Sequence, residues 1–234
     1  MMRSSFSKVC RSSHKRPFAQ IPTKMIRCQS GLALTEFAIT LPFLLILATS
    51  GLELTNYALT VKQVGELSVM IADNASRLGA QSMLSDKQVT EADVNDVFIG
   101  ADLQAANLHL ADNARIILSG LQQNEDGGQW ITWQRCYGGV DYDSAYGPEE
   151  TGKEGTAFPG MGPKGAEITA AANTAVMVVE IRYQYQRLLP LIALPLKDIT
   201  EMSAFNVRDS RNLTGLFPAQ GSEPSNCDQD NIEI

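Results

Sequence analysis

Histidine and cysteine are scarce in this sequence of 234 residues, with two of the first and four of the second. There is no His-Glu-x-x-His arrangement and no Cys-x-x-Cys pair, which argues against a catalytic or structural zinc site. No Gly-x-Ser-x-Gly elbow presents a nucleophile, and no phosphate-cradling Walker loop occurs. Asp141-Tyr142-Asp143 resembles the opening of a calcium loop, but Gly152 stands where the bidentate Glu would be needed. Charge is also thin, at 19% of residues, and the net charge of -7 repels phosphate backbones, so nucleic acid is not expected as a partner. No cofactor and no small-molecule substrate is indicated, and the chain reads as non-enzymatic. A hydrophobic share of 44% over this length suits one domain, or a small domain with an appendage, and excludes collagen, a disulfide knot and a wholly disordered chain.

Acidic residues are missing from one place in particular. Residues 1–31 carry seven Lys or Arg and no Asp or Glu, leaving 12 basic against 26 acidic residues in the remainder. Directly after this basic leader the chain turns apolar, and Phe37 to Leu52 contains no charge. Sixteen residues rise only about 24 Å as a helix, short of the ~30 Å of bilayer hydrocarbon, so the span is expected to run from Phe37 to Tyr57. The basic leader then stays in the cytoplasm and the bulk of the chain lies beyond the membrane. Two rivals compete: a secretory signal cut near Ala48-Thr49-Ser50, and a buried core helix.

The cysteines follow the same division. Cys10 and Cys28 lie in the leader, where the cytoplasm keeps thiols reduced, while Cys136 and Cys227 lie in the exported part, where a disulfide is permitted. The alternative for that second pair is two buried free thiols.

The junction Gly31-Leu32-Ala33-Leu34-Thr35-Glu36-Phe37 joins leader to span. Gly followed five residues later by Glu recurs at Gly120/Glu125 and Gly162/Glu167, but only Gly31/Glu36 sits between a basic leader and an apolar run. There it resembles the processing site of type IV prepilins, which a prepilin peptidase cuts after the Gly, making Leu32 the new N-terminus. A carboxylate inside an apolar helix needs a partner. The ammonium released at Leu32 of a neighbouring subunit would supply one for Glu36 and set the axial register of packed helices. The plainer reading is a Glu at the headgroup boundary.

Gly31, Glu36-Phe37, Leu41-Pro42 with the following Phe-Leu-Leu-Ile-Leu, and Gly51-Leu52-Glu53 together resemble the TadE-like family of minor pilins and pseudopilins from tight-adherence (Flp) pilus systems. The resemblance covers about 45 residues. It implies a short leader, one transmembrane helix, a variable periplasmic domain, residence in the bacterial inner membrane or the pilus, and other pilins or assembly proteins as partners. The leader is longer than many, so either Met1 or Met25 is the initiator. Pro42, inside the span, is expected to bend the helix, either as an aid to leaving the bilayer or as a passive kink. The alternative to the whole reading is an anchored extracytoplasmic binding domain or enzyme unrelated to pili.

Beyond the membrane the helix should continue as far as Gly79. Leu54, Tyr57, Val61, Val64, Ser68, Ile71, Ala75 and Leu78 would form an apolar seam, packed on the chain's own domain or on partners. A second helix is expected from Thr90 to about Leu108, with Thr90 as N-cap, Val94, Val97, Phe98, Ala101, Ala105 and Leu108 facing inward, and its acidic residues solvated. Strands are expected over 115–121 and 129–136, joined through Asp126-Gly127-Gly128 as a hairpin. A third should run from Ala175 to Gln186, with Ala175, Met177, Val179, Ile181, Tyr183 and Tyr185 on one face and Glu180, Arg182, Gln184 and Gln186 on the other, and a fourth over 198–208. The Gly- and Pro-rich stretch 137–169 is too long for an ordinary connection and reads as a partner-binding surface loop or a mobile excursion. The apolar stretch 188–196 fills the core at the sheet end, or meets lipid or another subunit. Carboxylate pairs such as Glu149-Glu150 are taken as surface charge. The sum is an α+β chain: leader 1–31, long helix 32–79 with its span at 37–57, and an extracytoplasmic domain 80–234 with about four antiparallel strands.

Overall fold

The computed structural model describes residues 30–79, 87–189, 194–209 and 211–228. The leader before Ser30, with Cys10, Cys28 and Met25, lies outside the described residues, as do residues 190–193 of the apolar stretch. The chain divides into two compact units, Met1–Ala48 and Thr49–Ile234.

The fold is α+β. The first helix, α1, runs from Ser30 to Arg77 and continues unbroken through Pro42. It ends where expected: Leu78 N–H turns back to the Ala75 carbonyl, and Gly79 follows at φ 110°, a left-handed conformation that side chains rarely adopt. Arg77 pairs with Asp73 one turn earlier, placing a cation at the helix C-terminus.

The second helix, α2, spans Glu91–Gln104. Thr90 caps it as a reciprocal box: its hydroxyl accepts from Asp93 N–H at 3.2 Å, while Asp93 Oδ2 accepts from Thr90 N–H at 2.8 Å. All six residues expected on the inner face are buried. After a short 3-10 turn at Ala106–Leu108, a four-residue helix Leu110–Asn113, not foreseen in the sequence, leads into the first strand.

Four antiparallel strands follow: β1 Ala114–Gln123, β2 Gln129–Tyr137, β3 Ala175–Tyr183 and β4 Ile199–Asn206, in spatial order β2-β1-β3-β4. The β1–β2 hairpin turns at 124–128 as expected, with a register shift at Gly120/Leu121. A Cβ at Gly120 would lie 2.5 Å from the Trp133 indole nitrogen, so the close approach of that ring requires glycine there. β3 stops at Tyr183, short of the expected Gln186.

Both faces of the sheet are covered. On one, Ala175, Met177, Val179, Ile181 and Tyr183 share a core with Val64, Leu67, Ile71 and Ala75 of α1 and with the inner face of α2. The seam on α1 is therefore own-domain core from Tyr57 onward, with Ser68 Oγ 2.7 Å from Ser203 Oγ of β4; Leu54, expected in the seam, is 55% exposed. On the other face Leu121, Ile131, Val176 and Val178 pack with Met161, Ala170, Tyr146, Phe158 and Ile168. Those five come from the stretch after β2, so the Gly- and Pro-rich segment is a packed cover for the sheet and not a loose excursion. It adds a second core that the period-2 pattern, which put only one face of β3 inside, did not reveal.

Charged groups expected at the surface turn out to be structural. Arg135 of β2 holds Glu91 of α2 through Nε and Nη2 at 2.8 and 2.6 Å, and reaches Glu149 of the covering segment at 3.0 Å. Glu91 and Arg135 are both buried, so the acidic first turn of α2 is not simply a solvated face. The bidentate geometry offsets the desolvation of the pair. Glu180 on β3, expected on a polar face, is also buried; it accepts hydrogen bonds from Ser144 Oγ and from Ala145 N–H of the same covering segment.

Cys136 and Cys227 form a disulfide that ties the end of β2 to the C-terminal segment. The same segment is held by Asn95, which donates to Ser222 Oγ and the Glu223 carbonyl and accepts from Ser225 Oγ. Arg115 adds a hydrogen bond to the Cys227 carbonyl at 2.6 Å.

Candidate functional site

The residues singled out at the leader junction all fall on α1. Gly31 and Leu32 follow Ser30, the first described residue, within α1. Glu36 follows Leu32 by one turn, an i, i+4 spacing that places the two positions on the same face. It is exposed, and among the described residues it makes no ion pair.

From Phe37 the helix is apolar on every side. Phe37, Ile39, Phe43, Leu44, Leu45, Ile46 and Leu47 are each more than half exposed. Consecutive positions 43–47 point around the whole circumference, unlike the single stripe of a helix packed on a soluble core. By length and composition α1 is able to cross a membrane, with a mean hydropathy of 1.8 in its most apolar window. Pro42 sits within this exposed stretch.

In the second unit α1 changes character at Glu53. This residue, expected near the far membrane interface, is fully buried. Its Oε1 accepts the Tyr185 hydroxyl at 3.0 Å, and its Oε2 accepts Leu189 N–H at 2.9 Å. Asn56 Nδ2 donates to the same Tyr185 oxygen at 2.8 Å, and the Tyr57 ring meets the Tyr185 ring edge-on at 4.9 Å. Burial is the main influence raising the Tyr185 hydroxyl pKa above its ordinary value; the Asn56 bond opposes it and Glu53 reinforces it. One turn of α1 is thereby clamped to the chain just after β3. The signal was present in the sequence, because Glu53 is the lone charge between Glu36 and Lys62. Tyr185 was placed by alternation on an apolar face, which captured its ring and missed its hydroxyl.

Cys136 and Cys227 are brought together as expected. Asp141 and Asp143 are not part of a metal cluster: among the described residues no three His, Cys, Asp or Glu side chains converge as a metal site requires. Compared with known proteins, the chain matches no family model, no curated protein and no solved structure.

Proposed function

We propose that this chain is a non-enzymatic minor pilin, pseudopilin or assembly protein of a tight-adherence pilus, TadE-like in kind, held in the bacterial inner membrane by α1. The observation that carries the reading is the first half of α1: a helix apolar around its full circumference, with one exposed carboxylate, Glu36, a single turn after the expected cleavage point. Such a surface is stable only against lipid or other apolar helices, and the carboxylate calls for a cation from outside its own helix. In this reading the basic leader is cytoplasmic and the prepilin peptidase cuts after Gly31. The Leu32 ammonium of one subunit then meets Glu36 of another, while the helix from Phe37 to Leu52, ahead of the buried Glu53, provides membrane and filament packing. The sheet domain lies in the periplasm, where the Cys136–Cys227 disulfide is at home.

The test is the N-terminus of the membrane-extracted protein, read by mass spectrometry in cells with and without their prepilin peptidase. The expected result is a chain starting at Leu32 that reverts to an intact leader when the peptidase is deleted. An intact leader in both strains would leave an anchored domain unrelated to pilin processing. A start near Ser50 would make it a secreted protein and end the pilus reading.

A further inference from the structure

The sheet has two edges, and the chain treats them differently. β2 forms one of them, and its outward backbone groups are taken. Ile131 donates its N–H to the Thr151 carbonyl and accepts from Glu150 N–H, while Cys136 N–H donates to the Ser225 carbonyl and Gln134 N–H to Glu149 Oε2.

β4 forms the other edge. Val207 N–H donates to the Ala175 carbonyl, and the β3–β4 register continues from that pair without a shift. Hydrogen-bonded pairs alternate along an antiparallel ladder, so Ile199, Glu201, Ser203 and Phe205 are the residues of β4 bonded to β3. Thr200, Met202, Ala204 and Asn206 turn their N–H and C=O groups outward, and none of these groups has a hydrogen bond among the described residues. The strand carries none of the usual blocks to pairing: it has no Pro, no Lys and no bulge, and Glu201 is its single charge.

α1 lies over this edge. A Cβ on Gly65 would come within 3.9 Å of the Glu201 side chain, and Ser68 Oγ meets Ser203 Oγ at 2.7 Å, so helix and strand advance in the same direction. One flank of α1, with Gln63, Leu67 and Met70, adjoins α2. The opposite flank, on the side of β4, carries Ala58, Val61, Gly65 and Val69 at helical spacing and no charge; Ala58 and Val69 are exposed.

A row of paired donors and acceptors about 7 Å apart is matched by another extended backbone. The uncharged helix flank above it suits apolar side chains at every second position of that backbone. We propose that β4 receives an added strand from another polypeptide, apolar on the side that faces α1. A second copy of this chain does not fit. Two β4 strands related by a two-fold axis pair antiparallel, and their α1 helices would then point in opposite directions, which anchors in one membrane do not allow. Setting the copy aside rests on α1 as the anchor; the open edge itself is independent of the pilus reading.

The test uses the full chain in lipid nanodiscs and a fluorescein-labelled peptide of alternating Thr and Val with a Lys at each end, followed by fluorescence anisotropy. The expected result is a saturable rise with loaded discs and none with empty ones. N-methylation along the peptide backbone should abolish the rise, and a peptide of alternating Thr and Gln should bind about tenfold or more weakly. Ala204→Pro removes an outward N–H and no bond to β3, so it should weaken the Thr/Val peptide by about tenfold or more while the near-ultraviolet circular dichroism stays that of the parent. If that variant fails to fold, the methylated peptide on the parent chain decides. No saturable rise above empty discs, binding unchanged by methylation or by Ala204→Pro, or equal binding of the Thr/Gln peptide would overturn the assignment. So would two chains per disc, joined through β4 and separated by Ala204→Pro, which would give the edge to a second copy.

Discussion

The hydroxyl of Tyr185 donates to Glu53 Oε1 across 3.0 Å, joining a helix to a segment more than a hundred residues later in the chain. Glu53 is fully buried and faces no cation within ion-pair distance among the described residues; its two oxygens are satisfied by one hydroxyl and one backbone N–H. A buried carboxylate held only by neutral donors depends on each of them. Tyr185→Phe keeps the ring packed on Tyr57 and removes one donor from Glu53 and the acceptor of Asn56. The expected loss is about 1.5–3 kcal/mol, the range for hydrogen bonds to charged groups. Glu53→Gln should cost less than Tyr185→Phe, because an amide oxygen still accepts and no charge needs to be buried. Denaturant unfolding of the detergent-solubilised protein, followed by near-ultraviolet circular dichroism, measures both. A Tyr185→Phe variant as stable as the parent would show that the clamp is incidental.

Arg135 links three parts of the domain, and its two partners are not equivalent. Glu91 is buried with it, whereas the Glu149 side chain is 45% exposed. Removing one member of a buried pair strands the other charge, so Arg135→Met should destabilise by about 3–5 kcal/mol. Glu149→Gln should change stability by about 1 kcal/mol or less, since water screens the exposed pair. Replacing Arg135 and Glu91 together by Met and Leu should recover much of the loss. If the double variant is instead the least stable of the set, the pair contributes more than its charges explain.

These two networks mark where the sequence was legible and where it was not. Periodicity located α1, α2 and the strands within a few residues, because Val64, Ile71, Val94 and Phe98 repeat at helical spacing and Met177, Val179 and Ile181 at strand spacing. It failed where burial depends on what arrives from far along the chain. Glu180 occupies the polar parity of β3 and is buried only because Ser144 and Ala145 are laid over it. Glu91 and Glu149 gave the pattern of surface charge until Arg135, on a different element, drew them together. Cys136 and Cys227 were paired by elimination between compartments, a global argument that needs no local contact. At the leader junction the reverse holds: Gly31, Leu32 and Glu36 are legible in sequence, and the fold adds that they share one helix.

Glu180 gives the covering segment a defined response to pH. Burial pushes its carboxyl above the ordinary value of 4.5, with the Ser144 and Ala145 hydrogen bonds opposing the shift. A raised acid holds its proton more tightly when folded than when unfolded. Between the ordinary and the raised value the folded state therefore binds more protons, and stability falls as pH rises through that window. Below the window this term no longer varies. Glu180→Gln removes the titration, so its unfolding free energy should be flatter against pH than that of the parent from about pH 4.5 upward. Parallel pH profiles for the two proteins would mean that Glu180 titrates as an ordinary carboxylate.

Glu36 separates anchoring from assembly. It is exposed on α1 one turn after Leu32, with Phe37, Ile39 and Phe43 exposed beyond it. For a helix that merely holds a domain at the membrane, a carboxylate at this depth is a cost, and Glu36→Leu should insert as well as the parent or better. For a helix that packs in register against processed neighbours, the same change removes the acceptor of an ammonium in a dry interface, which is strongly unfavourable for the charge left behind. Glu36→Leu is therefore expected to remain in the membrane fraction at parental levels while surface pili, counted by electron microscopy, are lost. Glu36→Asp keeps the charge on a shorter stem and should restore part of the count. Glu36→Lys places like charge against the ammonium and should abolish pili as Glu36→Leu does. Normal piliation in the leucine and lysine variants, with the protein present in the membrane, would reduce α1 to an anchor and Glu36 to a residue at the headgroup boundary.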